Sequence, residues 1–255
     1  MALPVFGFVC LHRRPLIDGV DCEAQWAREC AATGRASAHL WQGSEGFVVP
    51  RRYASLPGWV QRPRELSLLV RASGGGLVPQ GPGVWNLSLL WPAPSSMPTD
   101  TTAVYRALCG ELSAALVRVG IEGAAPQAVE GSWCDGRFNL AVRGAKLVGT
   151  AQAWKRVRAI ASSPAGVPVV LAHAVIVVTA DPDALTARAN ACEAALGNAT
   201  RYRADALTSV ARCLGVHAAG SAELAAIETR TLTVVAEQFA RVVPPRASDA
   251  ATRAA

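Results

Sequence analysis

A glycine-rich break between two apolar runs constrains this chain more than any other feature. Leu66 to Ala72 reads as a strand and Val84 to Leu90 as another, and Ser73 to Gly83 between them holds five glycines and two prolines. Gly74, Gly75 and Gly76 leave the first strand in succession. Glycine reaches backbone conformations closed to other residues and lets a ligand approach the main chain closely. The prolines stiffen the return, and the second strand carries Asn86 and Ser88. A flexible hairpin tether needs less order than this, so the segment reads as a shaped loop between two strands.

The periodicities on either side define the rest. Ala24, Ala27 and Ala31 share a helical face, flanked by Trp26 and Cys30, from Asp21 to Thr33, and Gly34 stops that helix. Ala38 to Trp41 and Gly46 to Val49 are short strands. Asp100 to Gly120 reads as a long helix whose core face is Val104, Leu108, Leu112 and Leu116. Phe138 to Trp154 reads as a hairpin turning at Arg143 and Gly144, and Val167 to Val178 as a buried strand. Leu185 to Leu196, Ala206 to Leu214 and Ala222 to Val242 read as helices, the last capped by Ser221. No repeat is visible, and strict βαβ alternation is absent. The expectation is an α+β fold with a mixed, largely antiparallel sheet flanked by helices, forming one domain over residues 1–243 with a disordered tail at 244–255. At 255 residues and 51% hydrophobic composition, the chain can fill one sizeable core.

Several function classes drop out. The net charge of +6 is spread along the chain, which favours an ordinary solvated basic surface over a nucleic-acid stripe; a basic face would also help to steer an acidic protein partner, and composition alone does not choose between these. Seven cysteines, odd in number and without a Cys-x-x-Cys pair, fit a reduced compartment. Five of them (Cys22, Cys30, Cys109, Cys192 and Cys213) fall in predicted helices, where a thiol acts as a small buried hydrophobe. The N-terminus is a poor signal peptide, and the longest apolar run, Val167 to Ala180, is too short to span a bilayer and contains Pro168 and His173. A cytoplasmic protein without membrane association is expected. Phosphate-loop, nucleophile-elbow, zinc-helix and dinucleotide motifs are absent. His12, His39, His173 and His217 are widely spaced, and no metal site is expected from them. For His173, inside an apolar strand, a core histidine with a satisfied hydrogen bond is the favoured reading over a catalytic base.

The chemistry concentrates in Gly131 to Gln152, GSWCDGRFNLAVRGAKLVGTAQ. Cys134 stands in a loop between Trp133 and an Asp-Gly turn. Lys146 opens the second hairpin strand, and period-2 alternation groups it with Val148, Thr150 and Gln152. As ordinary residues, Cys134 is a loop thiol and Lys146 a solvated charge. An ammonium near a thiol, however, raises its thiolate fraction and can polarise an acyl carbonyl, so a cysteine and a lysine beside one glycine loop suit acyl transfer. Trp133 either closes a tunnel or packs.

Both stretches resemble the signatures of the lipoate-protein ligase, octanoyltransferase and lipoyl amidotransferase superfamily. In that superfamily an Arg-x-Ser-Gly-Gly-Gly loop lines the acyl pocket and a Lys-x-x-Gly-x-Ala segment supplies the key lysine; here these are Arg71 to Gly76 and Lys146 to Ala151. The run from Gly131 to Leu140 most resembles the cysteine-dependent acyltransferases, with their Ser-aromatic-Cys-x-Gly pattern. The similarity covers roughly residues 15–215 in order of elements.

The resemblance implies a biotin/lipoate protein ligase catalytic-domain fold. Cys134 and Lys146 would be catalytic, with Arg71, Ser73, Gly74, Gly75, Gly76, Asn86, Gly149, Thr150, Ala151 and Gln152 at the substrate. An octanoyl or lipoyl group would pass through a Cys134 thioester to a lysine of a lipoyl domain, either of a 2-oxoacid dehydrogenase or of glycine-cleavage H protein, with acyl carrier protein as a further candidate donor. No cofactor is then required. The chain departs from the ligases by having Pro79-Gln80-Gly81-Pro82-Gly83 where a His-Asp pair is common. ATP-dependent ligation, with ATP and Mg, is the alternative enzyme reading, and a non-catalytic lipoyl-binding accessory protein is the other.

Overall fold

The apolar runs pair into two sheets, and helices close over them. The computed structural model describes residues 2–71, 74–93, 100–158, 166–216 and 220–240. In chain order the elements are β1 (Val9–Leu11), α1 (Gly19–Thr33), β2 (Ser37–Gln42), β3 (Gly46–Pro50), β4 (Leu68–Arg71), β5 (Val78–Gln80), β6 (Val84–Pro92), α2 (Thr101–Val119), β7 (Ala125–Pro126), β8 (Leu140–Val142), β9 (Ala145–Val157), β10 (Val167–Val177), α3 (Pro182–Ala195), α4 (Val210–Cys213) and α5 (Ser221–Ala240). The larger sheet runs β1-β2-β6-β10-β9-β8-β7 and the smaller β4-β3-β5. Among the strands of the described residues, only β1 with β2 and β3 with β4 pair in parallel. The fold is therefore α+β with a mixed, largely antiparallel sheet, as the sequence predicts.

Alternation along the central strands sorts their side chains to two faces. Leu40, Leu87, Leu89, Ala172 and Ala174 join Leu108, Leu112 and Leu116 of α2 and Phe239 of α5 in the main core. All four core positions expected on α2 are at most 2% exposed. On the opposite face α1 lays Trp26, Ala27, Cys30 and Ala31 against Trp41, Leu90 and Val169. The helix is held at its start by the Asp18 carboxylate, which accepts from Asp21 N, and stopped by Gly34 in the left-handed region at φ 68°. The small sheet and α3 form a neighbouring cluster around Val49, Leu77, Val177 and Leu185.

Two expectations need correction. The hairpin is not regular: Leu140 pairs with Val148 and Ala141 with Lys146, so β9 carries a bulge at this point. Leu147 and Val148 both enter the main core, and the alternation flips beyond them. Lys146 therefore shares a face with Gly149, whose hypothetical Cβ would lie 3.1 Å from Nζ, and not with Val148. The predicted helix Ala206 to Leu214 shrinks to α4, because Leu207 bridges Lys146 in parallel and Thr208 N donates to Lys146 O at 2.9 Å. Ser209 then caps the short helix by accepting from Arg212 N.

The five cysteines assigned to helices all lie in them. Burial pushes their thiols up, Cys30 and Cys109 to about 11 and Cys192 to about 12. Cys22 and Cys213 are raised for the same reason, as is Cys10 on β1. No helix among the described residues is long and apolar enough to cross a membrane. Ala72, Ser73, His217, Val242, the tail 244–255 and the side chain of Ser221 lie outside the described residues.

Leu89 is fully buried beneath α2 and α5. Leu89→Ala is expected to destabilise the protein by about 2–5 kcal/mol, read as a lower urea midpoint with an unchanged slope.

Candidate active site

Between α1, the small sheet and the inner face of β6, β10 and β9 lies a cavity of about 540 Å³, within the range of roughly 300–1,000 Å³ typical of small-molecule sites. Val48, Val70, Val78, Leu171 and Val175 give it apolar walls. Gly149, Ala151 and Ala153 pair with Val175, His173 and Leu171, and their minimal side chains leave the space open. Cys134, Lys146, Arg71, Asn86, Thr150 and Gln152 also border it. Thr150 Oγ1 donates to Phe138 O at 2.7 Å and Gln152 Nε2 to Thr101 O at 2.7 Å, so both side chains brace the neighbouring loop and helix.

Cys134 is held in the left-handed region at φ 54°, sparsely populated for any residue but glycine. Three donors converge on its carbonyl and hold it there: Lys146 Nζ, Asn139 Nδ2 and Gly136 N, each at 2.9 Å. Lys146 Nζ also donates to Trp133 O, and it lies 5.6 Å from the centre of the Trp133 ring. Lys146 is 2% exposed. Burial brings its ammonium down to about 8, against the pull of Cys134 and Asp135, with Arg71 pushing the same way as burial.

The glycine loop meets this cysteine directly. A Cβ on Gly75, at φ +101°, would lie 2.7 Å from Cys134 Sγ, and one on Gly76 would lie 3.3 Å from Cys134 N. Arg71, at the border of the cavity, clasps the loop: Nη2 donates to Gly74 O and Gly76 O, at 2.9 and 2.6 Å, and Nη1 to Val48 O at 3.1 Å. Ser73, expected in this loop, lies outside the described residues. Below the loop the fully buried Glu193 accepts from Tyr53 and Tyr202 hydroxyls at 2.7 and 2.5 Å. Burial and that carboxylate push Tyr53 up to about 12 and raise Tyr202 further. Trp133 packs into the cluster beside them, and its Nε1 has no hydrogen-bond partner among the described residues.

Sequence reasoning missed the polar groups deeper in the cavity. Glu23 projects from α1 onto His173 Nδ1 at 2.7 Å, and Ser88 Oγ donates to the same carboxylate oxygen at 2.7 Å while accepting from Trp41 Nε1 at 2.9 Å. Burial pushes the Glu23 carboxyl up, but His173 and these hydrogen bonds hold it below its ordinary value. His173 is thus hydrogen-bonded, as expected, yet stands in the cavity wall. Asn86 bonds Gln80 Oε1 at 2.8 Å. A helical spacing places Glu23 one turn before Ala27 and could have flagged it; nothing local connects Glu193 to the glycine loop. The exposed rim carries Arg28, Arg51, Lys155, Arg156 and Arg158, a concentration of positive charge suited to an anionic partner.

Residues 59–216 match the model of the lipoyl protein ligase A/B catalytic domain. An uncharacterized protein of Cupriavidus necator is 40% identical over 196 residues, 73% of this chain and 77% of that one. The octanoyl-[GcvH]:protein N-octanoyltransferase of Kyrpidia tusciae is 38% identical over 161 residues, which are 61% of this chain and 54% of that protein. Among solved structures, protein Ta0514 of T. acidophilum with bound lipoic acid superposes with TM-score 0.58 at 15% identity, over 92% of this chain and 86% of that one. A lipoate-protein ligase A bound with ATP gives 0.53 at 14% identity, over 94% and 95%. At these identities the structural matches establish the fold: that of a lipoate-protein ligase catalytic domain.

Gly75→Ala is expected to slow alkylation of Cys134 on the order of tenfold, because a side chain at this positive φ costs about 1–3 kcal/mol and its Cβ would crowd Sγ; far-ultraviolet dichroism should stay native. Above pH 8 the folded chain releases the Lys146 proton that the unfolded chain keeps to about 10.5. Stability relative to Lys146→Met should therefore rise between those values, by up to about 3 kcal/mol, checked by urea unfolding at pH 7.5 and 10.

Proposed function

Because this chain belongs to the family of the lipoyl protein ligase A/B catalytic domain, we propose that it transfers an octanoyl or lipoyl group to a lysine of a lipoyl carrier domain through a thioester on Cys134. The observation that carries this reading is the setting of Cys134: a thiol against Gly75, at the border of an apolar cavity, on a loop whose carbonyls are gripped by a buried lysine.

In the first half-reaction the Cys134 thiolate attacks the acyl carbonyl carbon of a carrier-bound donor. The new S–C bond forms as the donor's bond to the acyl carbon breaks, and the leaving group takes up the proton that Cys134 gave to solvent. Two of the three N–H groups of the Lys146 ammonium hold Trp133 O and Cys134 O. The third, with the charge itself, stabilises the tetrahedral oxyanion. In the second half-reaction the neutral amine of the acceptor lysine attacks the thioester, an amide forms, the C–S bond breaks, and the amine's proton is lost as the thiolate is restored. The acyl chain lies along Val48, Val78 and Leu171. The transferase relative supports octanoyl transfer involving H protein, and a bipartite T. acidophilum ligase studied with its E2 lipoyl domain (TM-score 0.53, 16% identity) supports a lipoyl-domain partner.

A second reading, ATP-dependent ligation of free lipoate, is favoured by the basic rim, which suits the phosphates of a nucleotide as well as an acidic carrier. In that chemistry Cys134 is dispensable and ATP with Mg is required.

Intact-mass spectrometry separates the two. Incubated with octanoyl-acyl carrier protein or lipoylated H protein and no ATP, the wild type should gain one acyl mass and Cys134→Ala none. Modification of a lipoyl domain only with lipoate and ATP, undiminished in Cys134→Ala, overturns the thioester route and makes the protein a ligase.

A further inference from the structure

The edge strand carries a cluster that acyl transfer does not use. Parallel pairing sets Cys10 of β1 opposite His39 of β2. His12, two residues beyond Cys10, is turned to the same side of the sheet. One ligand atom from each, the Cys10 sulfur and a ring nitrogen of His12 and of His39, all lie within 4.8 Å of one another. Spacing in the sequence separates the two histidines by 27 residues; the sheet removes that separation.

The local geometry suits coordination. His12 Nε2 and His39 Nδ1 are 3.2 Å apart, while two nitrogens each about 2.0 Å from a tetrahedral zinc ion are separated by about 3.3 Å. Both rings are fixed by Trp26, on which His39 stacks at 3.8 Å and 3° and His12 at 5.2 Å and 29°. His39 Nε2 lies 3.2 Å from Ser37 Oγ. With Nε2 protonated and donating to that hydroxyl, the lone pair of His39 sits on Nδ1, toward the cluster, the outer hydrogen bond that metal-bound histidines commonly make. Cys10 and His12 are half-buried and His39 is buried, so solvent reaches only one side.

We propose that Cys10, His12 and His39 form a three-ligand site for a divalent transition ion of the zinc class, with water in the fourth position, fastening β1 to the sheet. The Cys10 thiol gives its proton to solvent as the sulfur–metal bond forms, and no electron is transferred.

The test is a titration of chelator-treated full-length protein with Co²⁺. A thiolate-to-cobalt charge-transfer band should saturate at one equivalent and disappear on adding Zn²⁺, and Zn²⁺ should raise Tm. Cys10→Ser should abolish the band, Cys134→Ser should keep it, and Ser37→Ala should weaken binding by about tenfold while folding normally. No thiolate band, or a band that survives Cys10→Ser and vanishes in Cys134→Ser, overturns the proposal. The histidines are then joined by a hydrogen bond alone.

Discussion

Burying the Lys146 ammonium carries a desolvation cost that the carbonyls of Trp133 and Cys134 offset, and the shape of the cysteine loop derives from that requirement. No ion pair to Lys146 exists among the described residues, so the charge is met by backbone dipoles. Two successive carbonyls can face one nitrogen only if the chain turns sharply, and Cys134 makes that turn in the left-handed region. Asn139 and Gly136 complete the arrangement by donating to the same oxygen. The exposed edge of the loop, where Sγ meets Gly75, is thus fixed from beneath.

The rest of the fold serves that lysine. The bulge in β9 re-aims it toward the cavity, and the Leu207 bridge with the Thr208 hydrogen bond pins its backbone. Arg71 ties the glycine loop to β3 through the carbonyls of Gly74, Gly76 and Val48, and Glu193 with its two tyrosines supports the same loop from α3. Arg71 thus binds main-chain carbonyls while still bordering the cavity.

Features built from consecutive residues were legible in the sequence: the α2 core stripe, the Gly34 stop of α1 and the glycine loop. Features that depend on register or on distant partners were not. Period-2 alternation assigned Lys146 to the face of Val148 because a bulge leaves no local signature in that run. The helix expected from Ala206 lost its first turn to a β-bridge with a residue some 60 positions away, a competition between propensity and tertiary pairing that no window of sequence contains. Glu23 with His173, and His12 with His39, meet only because the sheet order brings their strands and α1 together.

The six other thiols, all raised by burial, bear on the fate of an acylated enzyme. A thioester is exposed to migration whenever a second thiolate can reach it, and seven cysteines in one chain offer many routes for such scrambling. Here burial raises the thiols of Cys22, Cys30, Cys109, Cys192 and Cys213, and that of Cys10 when no metal is bound to it. On the thioester route proposed for Cys134, these raised thiols are weak competitors for the acyl group, and its residence time is set by the incoming amine and by water.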